Sequence, residues 1–356
     1  MITLLSPKNA VTFSLKTDFL KEFERRERAG LNKSGENSYL WMGTEERNIV
    51  SGRVLNAPVS VFFKWKTDDV TKPMDFKISL NPDLSPSTDI PGNCATVGEP
   101  IASAEEDGVY ILRTDNLYFG RTYYWTVSDG VDEAEIRTFP TEDAPPRTIR
   151  AEHIVNIRDI GGYTTEDGHR VRQGLFYRGP AIRDDFNMNV WHVFMEDLGI
   201  KTEIDLRAEV VGKENDTMLG PLCNYVQLPI EPYDEVFDEP YSGNYRSIFE
   251  LLCDPEAYPV YVHCAAGADR TGTVAYLLEA LLGFREEDII YDYNLTAASY
   301  DEVNFNRTSV AKFIEIMENR HPNTTLKEKL IQTLYDLGVT DEIFEKIREI
   351  FLEDDN

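Results

Sequence analysis

The segment with the clearest chemical potential is a short run around one cysteine. Cys264 is separated from Arg270 by five residues, and Thr271 and Gly272 follow directly. A loop of this length that leads into a helix can turn several backbone N–H groups toward one anion, and the helix N-terminus adds a partial positive charge. The planar guanidinium of an arginine can then hold two phosphate oxygens. The spacing therefore predicts a phosphate-binding loop.

The same loop gives Cys264 a predicted role as a nucleophile. A cysteine at a helix N-terminus and beside a cation is favoured as the thiolate, the form that attacks phosphorus. The loop would then hold the charge on the phosphate oxygens. The residues predicted to bind the phosphate are Ala265, Ala266, Gly267, Ala268, Asp269 and Arg270. Two neighbours have supporting roles: Thr271 is expected to donate its hydroxyl to the sulfur, and His263 to orient the loop through hydrogen bonds.

The elements on either side of the loop must position it. Residues 258–262 form an apolar run of the kind found in buried parallel strands, and residues 271–282 have a helical pattern. Residues 202–206 predict a second strand. Further helices are predicted over 309–318, 326–337 and 341–351. This alternation predicts an α/β catalytic domain over residues 147–356, with a mostly parallel central sheet flanked by helices.

The first part of the chain has a different pattern. Residues 1–50 are predicted to form an N-terminal extension with a short charged helix. Residues 51–142 contain several short β-rich runs separated by turns, which predicts an all-β sandwich. Leu117, Gly120 and Tyr123 resemble the tyrosine corner of fibronectin type III modules. The role of such a module is left open between binding a protein or a carbohydrate, positioning the substrate and packing against the catalytic domain.

Sequence blocks outside the loop follow the order of a known family. Residues 156–162 read NIRDIGG, residues 174–179 read GLFYRG and residues 205–207 read DLR. Together with the loop, and over residues 147–352, they resemble the bacterial atypical tyrosine and phosphoinositide phosphatases of the protein tyrosine phosphatase superfamily. The resemblance implies the tyrosine phosphatase fold and hydrolysis of phosphomonoesters through a phospho-cysteine intermediate. It implies no cofactor and no metal.

One position departs from that family's pattern. The family has a lysine in the loop where this chain has Ala268. The lysine favours highly anionic lipid head groups in related enzymes, so its replacement favours phosphotyrosine as the substrate. A phosphorylated protein or a small phosphomonoester is therefore the expected substrate. The alternatives are an inositol-phosphate or phosphoinositide phosphatase and a non-catalytic, phosphate-binding pseudophosphatase.

The residue that protonates the leaving group stays open among three carboxylates. Asp269 lies inside the loop and is the candidate that the family resemblance implies. Asp234 and Glu231 flank the position at which related phosphatases carry an aspartate on a mobile loop. A useful general acid must reach the leaving oxygen and be protonated at the working pH.

Two pairs of charged residues are predicted to support the site. Arg158 and Asp159 either form an ion pair that braces the phosphate loop or line the pocket. The same alternatives hold for Asp205 and Arg207.

Composition limits the classes of function. The formal net charge is -27, which should repel nucleic acids and anionic membranes at long range. Cys94, Cys223 and Cys253 form no CxxC pair, so a disulfide framework or a zinc site is not expected and these thiols are predicted to be inert. No apolar run approaches the roughly 18 residues that a membrane span needs. The first residues show no signal-peptide pattern, which predicts a cytoplasmic protein and leaves secretion open for a chain that has lost its signal peptide.

Overall fold

The computed structural model describes most of the chain. The described residues are 1–30, 57–69, 72–86, 101–102, 108–182, 187–208, 217–299 and 307–354. Cys94 lies outside them. Among the described residues, no helix is long and apolar enough to cross a membrane.

The N-terminal part contains two antiparallel sheets. Its strands are β1 (Ile2–Ser6), β2 (Val61–Thr67), β3 (Asp75–Ser79), β4 (Ile101–Ala102), β5 (Val109–Thr114), β6 (Thr122–Ser128) and β7 (Arg137–Pro140). One sheet has the order β1-β2-β5-β4, and the other has the order β3-β6-β7. Buried and exposed residues alternate along β2, as expected for a strand with one face on a core.

One aromatic core joins the two sheets. The ring of Phe63 on β2 packs edge-on against Phe76 on β3 and Trp125 on β6, with centroids 4.8 and 5.0 Å apart. The hydroxyl of Tyr123 accepts a hydrogen bond from the backbone N–H of Tyr118 at 2.7 Å. Such a bond from a core tyrosine to the backbone a few residues upstream is typical of a tyrosine corner.

The first thirty residues contribute to both parts of the molecule. Strand β1 pairs with β2, so this segment adds a strand to the four-stranded sheet. Helix α1 (Asp18–Arg28) starts at Thr17, whose side chain accepts a hydrogen bond from the N–H of Leu20. The division into an extension over residues 1–50 and a sandwich over residues 51–142 stays a prediction, to which the structure adds that β1 of the extension pairs with β2.

The C-terminal part is built on one six-stranded sheet. Its strands are β8 (Arg147–Thr148), β9 (Arg158–Asp159), β10 (Phe176–Pro180), β11 (Thr202–Asp205), β12 (Asn224–Gln227) and β13 (Val260–Cys264). The order is β12-β11-β13-β10-β9-β8. The first four strands in this order are mutually parallel, and β9 and β8 pair antiparallel. The prediction of a mostly parallel sheet therefore agrees with the described strands.

Helices and short turns flank this sheet. The helices are α2 (Met188–His192), α3 (Tyr241–Leu251), α4 (Asp269–Leu282), α5 (Glu286–Leu295), α6 (Arg307–Arg320), α7 (Leu326–Asp336) and α8 (Asp341–Phe351). A π-helical turn follows α2 at Val193–Asp197, and a 3₁₀ turn lies at Tyr233–Phe237. All residues of β13 are buried, as are twelve of the fourteen residues of α4. A helix buried on all sides has fixed neighbours, so its N-terminus is held rigidly at the sheet edge.

Directional bonds fix the junction between the two parts. Arg147 is buried and donates to the carbonyl oxygen of Asn116 at 2.8 Å. Gln173 both donates to and accepts from the backbone of Phe119, at 2.8 and 3.0 Å. Helix α1 also contacts α5, where Arg28 pairs with Asp288 at 2.8 Å. The N-terminal part is therefore docked on the C-terminal part.

Candidate active site

The predicted phosphate loop lies where the central parallel strand meets the central helix. Cys264 is the last residue of β13, and α4 begins five residues later at Asp269. Cys264 is 3% exposed, whereas Ala265 beside it is exposed. The carboxyl ends of parallel strands form the usual crevice for ligands in α/β proteins. The buried Cys264 is therefore followed by a loop that is exposed at Ala265 and that leads into a helix N-terminus.

Glycine is required inside the loop by a close backbone contact. Gly267 has a φ of +66°, and a Cβ on it would lie 2.3 Å from the carbonyl carbon of Gly179 on β10. Any other residue would have to move the loop away from this strand. The loop is therefore pressed against the end of β10, which runs parallel to β13.

The carbonyl oxygens of the loop are held from behind. Asn156 donates from Nδ2 to the oxygens of Ala266 and Gly267, at 3.0 and 3.3 Å. Arg178 donates from Nη2 to the oxygen of Gly267 at 3.1 Å. In a trans peptide the N–H points opposite to the C=O, so the N–H groups of Gly267 and Ala268 face away from these donors. Neither N–H is donated to a described residue.

The guanidiniums behind the loop belong to a buried charged cluster. Arg158, Arg178 and Asp292 are each at most 1% exposed. Arg158 pairs with Asp292 at 2.7 Å, and Arg178 pairs with the same carboxylate. Burial opposes ionisation of Asp292, but the two arginines hold the pKa of its carboxyl below the usual range. Asn156 accepts a further bond from Arg158 at 2.7 Å, so the cluster and the loop are connected.

The predicted ion pair between Arg158 and Asp159 is wrong. Asp159 instead pairs with Arg147 at 3.0 Å, and Arg158 pairs with Asp292. The two residues are neighbours on β9, and neighbouring side chains on a strand point to opposite faces of the sheet. The bracing role therefore falls to Arg158 together with Asn156, while Asp159 fixes the junction through Arg147.

Glu279 is a member of this region that the sequence did not single out. It lies on α4, is 1% exposed, and neither of its carboxyl oxygens has a hydrogen-bond partner among the described residues. Burial raises the pKa of Glu279 well above its usual range, and the Asp292 carboxylate adds to the rise. The sequence alone does not distinguish a buried glutamate such as Glu279 from one on the exposed face of a helix.

His263 is oriented by a carboxylate on the neighbouring strand. Its Nε2 lies 2.8 Å from Oε1 of Glu203, and its Nδ1 lies 3.8 Å from Asp205. His263 is fully buried, and Nδ1 has no hydrogen-bond partner among the described residues. The bond to Glu203 fixes the orientation of the imidazole on β13. It is not a hydrogen bond from His263 to the loop, which was the predicted contact. Glu203 was not predicted, because its contact depends on pairing between β11 and β13.

Asp205 and Arg207 form the second predicted pair. Nη2 of Arg207 lies 2.7 Å from Asp205, and the hydroxyl of Tyr225 donates to Asp205 at 2.8 Å. Burial alone would raise the pKa of Asp205, but the bonds from Arg207 and the nearby His263 hold it below its usual range. Because Asp205 is in register with His263, this pair stabilises the end of β11 beside the loop.

The three candidate general acids lie on different elements of the structure. Asp269 is half-buried in the first turn of α4, and its Oδ1 accepts hydrogen bonds from the hydroxyls of Tyr233 and Tyr293. Glu231 is half-buried, and its carbonyl oxygen accepts a bond from Tyr245 at 2.9 Å. The backbone of Asp234 lies in the turn Tyr233–Phe237, and its side chain is outside the described part of the structure.

Arg270 and Thr271, both predicted to act with the loop, differ in their exposure to solvent. Arg270 is half-buried in the first turn of α4, and no described residue forms an ion pair with it. Its guanidinium is therefore available to an anion. Thr271 is fully buried, and its hydroxyl has no hydrogen-bond partner among the described residues. The expected bond from Thr271 to the sulfur of Cys264 is therefore not formed in this structure.

The other described cysteines differ from Cys264 in their surroundings. Cys223 is buried in an apolar cluster, and burial raises the pKa of its thiol to about 12. Burial also raises the pKa of Cys253, whose sulfur lies 3.5 Å from the carbonyl oxygen of Phe249. Both thiols are therefore poor nucleophiles near neutral pH. Among the described residues, no group of three or more His, Cys, Asp or Glu side chains could hold a metal ion.

The family comparison defines the class of protein. The model of the tyrosine phosphatase family matches residues 149–353, which is more than half of the chain. The chain belongs to this family. The match starts two residues into the predicted catalytic domain and includes the loop, the buried cluster and the described helices α2 to α8.

Individual relatives carry related names. A protein of Cupriavidus necator that is named as a tyrosine-protein phosphatase is 27% identical over an alignment of 185 residues, with 45% of this chain and 66% of that protein covered. Proteins named as the tyrosine-protein phosphatase OCA1 from Debaryomyces hansenii and Meyerozyma guilliermondii are 27% and 29% identical, over 28% of this chain. The chain thus spans less than two thirds of the length of each of these relatives.

Solved structures that are similar to part of this chain are more distant in sequence. The core catalytic domain of the PP-IP phosphatase SIW14 from S. cerevisiae is 16% identical, with a TM-score of 0.32, over 50% of this chain and 98% of that chain. The P. aeruginosa protein TpbA, in complex with phosphotyrosine, is 16% identical with a TM-score of 0.32, over 46% and 86%. The assignment of this chain rests on the family match and on its own strand order.

Proposed function

We propose that the protein is a phosphomonoester hydrolase in which Cys264 is the nucleophile. The observation that carries this proposal is the loop itself. The carbonyl oxygens of Ala266 and Gly267 accept bonds from Asn156 and Arg178, so the N–H groups of Gly267 and Ala268 point away from these donors and are free to bind an anion beside Cys264. Membership of the tyrosine phosphatase family supports a phosphatase activity.

The chemistry takes two steps. In the first, the Cys264 thiolate attacks phosphorus, an S–P bond forms, the P–O bond to the leaving group breaks, and Asp269 donates a proton to the departing oxygen. In the second, water attacks phosphorus, the S–P bond breaks, and Asp269 accepts the proton of the water. The backbone N–H groups and Arg270 bind the non-transferred oxygens throughout, and they stabilise the charge in both transition states.

Phosphotyrosine is the proposed substrate. Ala268 is buried in the loop at the position of the family's lysine, so the site holds one cation fewer for a multiply phosphorylated ligand. An aryl phosphate needs only one phosphate site and an acid for its phenolic oxygen. Inositol phosphates and phosphoinositides carry several phosphates, so the absence of the lysine charge weakens their binding more than the binding of an aryl phosphate.

A substrate panel tests this proposal. The purified protein should hydrolyse p-nitrophenyl phosphate and a phosphotyrosine peptide, and Cys264→Ser should remove activity while the protein remains folded. Cys253→Ser serves as the matched control, because this thiol lies away from the loop, and it should retain activity. Absence of hydrolysis by the folded wild-type protein would indicate the phosphate-binding alternative. A clear preference for inositol phosphates or phosphoinositides would contradict the phosphotyrosine assignment.

For the N-terminal part we propose a fibronectin type III-like module over residues 51–142, with the catalytic domain over residues 147–356. The two antiparallel sheets, their shared aromatic core and the bond from Tyr118 to Tyr123 support this proposal. The docked junction favours a module that packs against the catalytic domain over one that moves independently. Binding of a protein or a carbohydrate by its outer surface stays a prediction.

A further inference from the structure

Asp269 is held by two tyrosines from separate elements. The hydroxyl of Tyr233, at the start of the turn Tyr233–Phe237, donates to Oδ1 of Asp269. The hydroxyl of Tyr293 on α5 lies 3.3 Å from the same oxygen and 2.7 Å from the hydroxyl of Tyr233. Each phenol has one proton, so Tyr233 donates to Oδ1 and Tyr293 shares its proton between Oδ1 and the hydroxyl oxygen of Tyr233, while no described donor reaches Oδ2 of Asp269.

The position of Tyr293 depends on a glycine in the phosphate-loop motif. A Cβ on Gly272 would lie 2.7 Å from the ring of Tyr293, so only glycine lets this ring approach α4. The other side of the ring is fixed by Tyr276, which packs edge-on with centroids 5.2 Å apart. Burial raises the pKa of Tyr293, and Tyr233 and Asp269 add to the rise, so the phenol keeps its proton and remains a donor.

The position of Tyr233 depends on an unusual backbone conformation. Its φ is +65°, in the left-handed region that residues other than glycine, asparagine and aspartate rarely adopt. A bulky residue stays there only when the surrounding structure compensates for the strain, and such residues are common at functional sites. The turn is also tethered by Tyr245, whose hydroxyl donates to the carbonyl oxygen of Glu231. Tyr245 therefore holds the backbone near the turn, whereas Tyr233 forms the bond to Asp269.

We infer that Tyr233 and Tyr293 are positioning residues for the proton transfer by Asp269. With Oδ1 held by two phenols, the carboxyl group has one orientation, and its proton is carried by Oδ2. The same oxygen then gives the proton to the leaving group in the first step and takes the proton of water in the second. This inference rests on the proposed function, because it assigns an orientation to the acid of that reaction.

The test compares substrates that differ in their leaving group. The specificity constant kcat/KM reports the steps up to formation of the phospho-cysteine. Dinitrophenyl phosphate has a leaving group that departs with little protonation, whereas phenyl phosphate needs the acid. Tyr233→Phe and Tyr293→Phe should each lower kcat/KM for phenyl phosphate by about tenfold, and for dinitrophenyl phosphate by less than about twofold. Asp269→Asn should show the same pattern with a loss of about a hundredfold for phenyl phosphate.

Tyr245→Phe is the matched control, because it loosens the same turn without touching Asp269. It should change kcat/KM by the same factor for both substrates. A uniform loss for both substrates in Tyr233→Phe and in Tyr293→Phe would overturn the inference, since a structural role slows all substrates alike. The phenylalanine variants keep the ring packing, and circular dichroism with urea unfolding verifies that each is folded. Gly272→Ala provides a second route to the same displacement of Tyr293 and should reproduce the dependence on the leaving group.

Failure of this inference is distinguishable from failure of the proposed function. If Cys264→Ser is inactive but Asp269→Asn shows no dependence on the leaving group, the phosphatase assignment stands and the inference is wrong. If folded wild-type protein hydrolyses neither substrate, the proposed function fails and the inference with it.

Discussion

The core of the N-terminal sheets and the interior behind the phosphate loop bury side chains of opposite chemical character. The first is filled by aromatic and aliphatic residues, among which Trp65 and Trp125 are fully buried. The second contains Arg158, Arg178 and Asp292 at similar depth. Only the second one contains hydrogen bonds that end on the carbonyl oxygens of the predicted phosphate loop.

The two cores differ in whether their side chains mainly stabilise the fold or mainly orient the loop. Replacing a buried ion pair by apolar residues of the same shape is often neutral or stabilising, so buried charges are weak evidence for stability. The aromatic core is stabilised mainly by the burial of apolar surface. The charged cluster instead fixes which way the loop carbonyls point, and thereby which way the loop N–H groups point. Variants that separate stability from activity can break or sharpen this comparison.

The largest effect is expected at Arg178. In Arg178→Met the Asp292 carboxylate and the carbonyl oxygen of Gly267 each lose a donor in the interior. Removing one partner of a buried pair costs about 3–5 kcal/mol, and the loosened loop should lower kcat/KM for p-nitrophenyl phosphate by about a hundredfold. Urea unfolding and steady-state kinetics measure the two effects. Phe63→Leu in the aromatic core should cost about 1–2 kcal/mol and leave kcat unchanged; a matching loss of kcat there would remove the contrast.

A smaller effect is expected at Asn156, for which the chain offers a matched control. Asn156 and Asn116 both have positive φ, 64° and 60°, and both are buried. Asn156 donates to the phosphate loop, whereas Asn116 donates to the carbonyl oxygen of Arg150 at the junction. Replacement of either by glycine keeps the backbone conformation and should cost about 1–3 kcal/mol. Only Asn156→Gly should lower kcat, by about tenfold, and equal kinetic losses in both variants would show that the loop bonds are not special.

A pH-dependent effect is expected at Glu279. Its raised pKa means that the folded protein keeps a proton which the unfolded chain releases above about pH 4.3. The folded state therefore binds more protons, and its free energy of unfolding falls as pH rises from about 4.3 toward the folded pKa, by up to about 1.4 kcal/mol per pH unit. Glu279→Gln resembles the protonated form and removes this slope. Urea unfolding at pH 5 and pH 8 should show a larger decline in the wild type than in the variant, and equal declines would mean that Glu279 is ionised in the folded state.

The smallest effect is expected at Tyr123. In Tyr123→Phe the buried N–H of Tyr118 loses its acceptor, while the ring stack on Phe139 remains. The loss should lower the stability by about 1–2 kcal/mol and leave kcat and KM unchanged. A change in KM for a phosphopeptide, without a change for p-nitrophenyl phosphate, would instead assign substrate positioning to the N-terminal part.

Local pattern was sufficient to predict the loop and its flanking elements. The apolar run before Cys264 became β13, and the helix predicted over 271–282 was observed to begin at Asp269. Both depend on residues close together in the chain. The phosphate-loop motif likewise predicted that Cys264 and Arg270 would lie at one strand–helix junction.

What the sequence did not predict depends on contacts between distant residues. The donors to the loop carbonyls, Asn156 and Arg178, lie about ninety to one hundred and ten positions away along the chain. Glu203 meets His263 only because two parallel strands are in register. The mistaken pair at Arg158 and Asp159 has the same cause, since strand β9 was not predicted and only its pairing with β10 and β8 places the two side chains on opposite faces of the sheet.

The most direct test of the central claim is identification of the covalent intermediate. Rapid mixing of the wild-type protein with p-nitrophenyl phosphate, followed by acid quenching and peptide mass spectrometry, should show an initial burst of about one nitrophenol per chain and a phosphoryl group on Cys264. Arg207→Lys serves as a folded control that keeps the nucleophile and should still form the intermediate. A phosphoryl group on another residue, or full turnover by Cys264→Ser, would contradict the account.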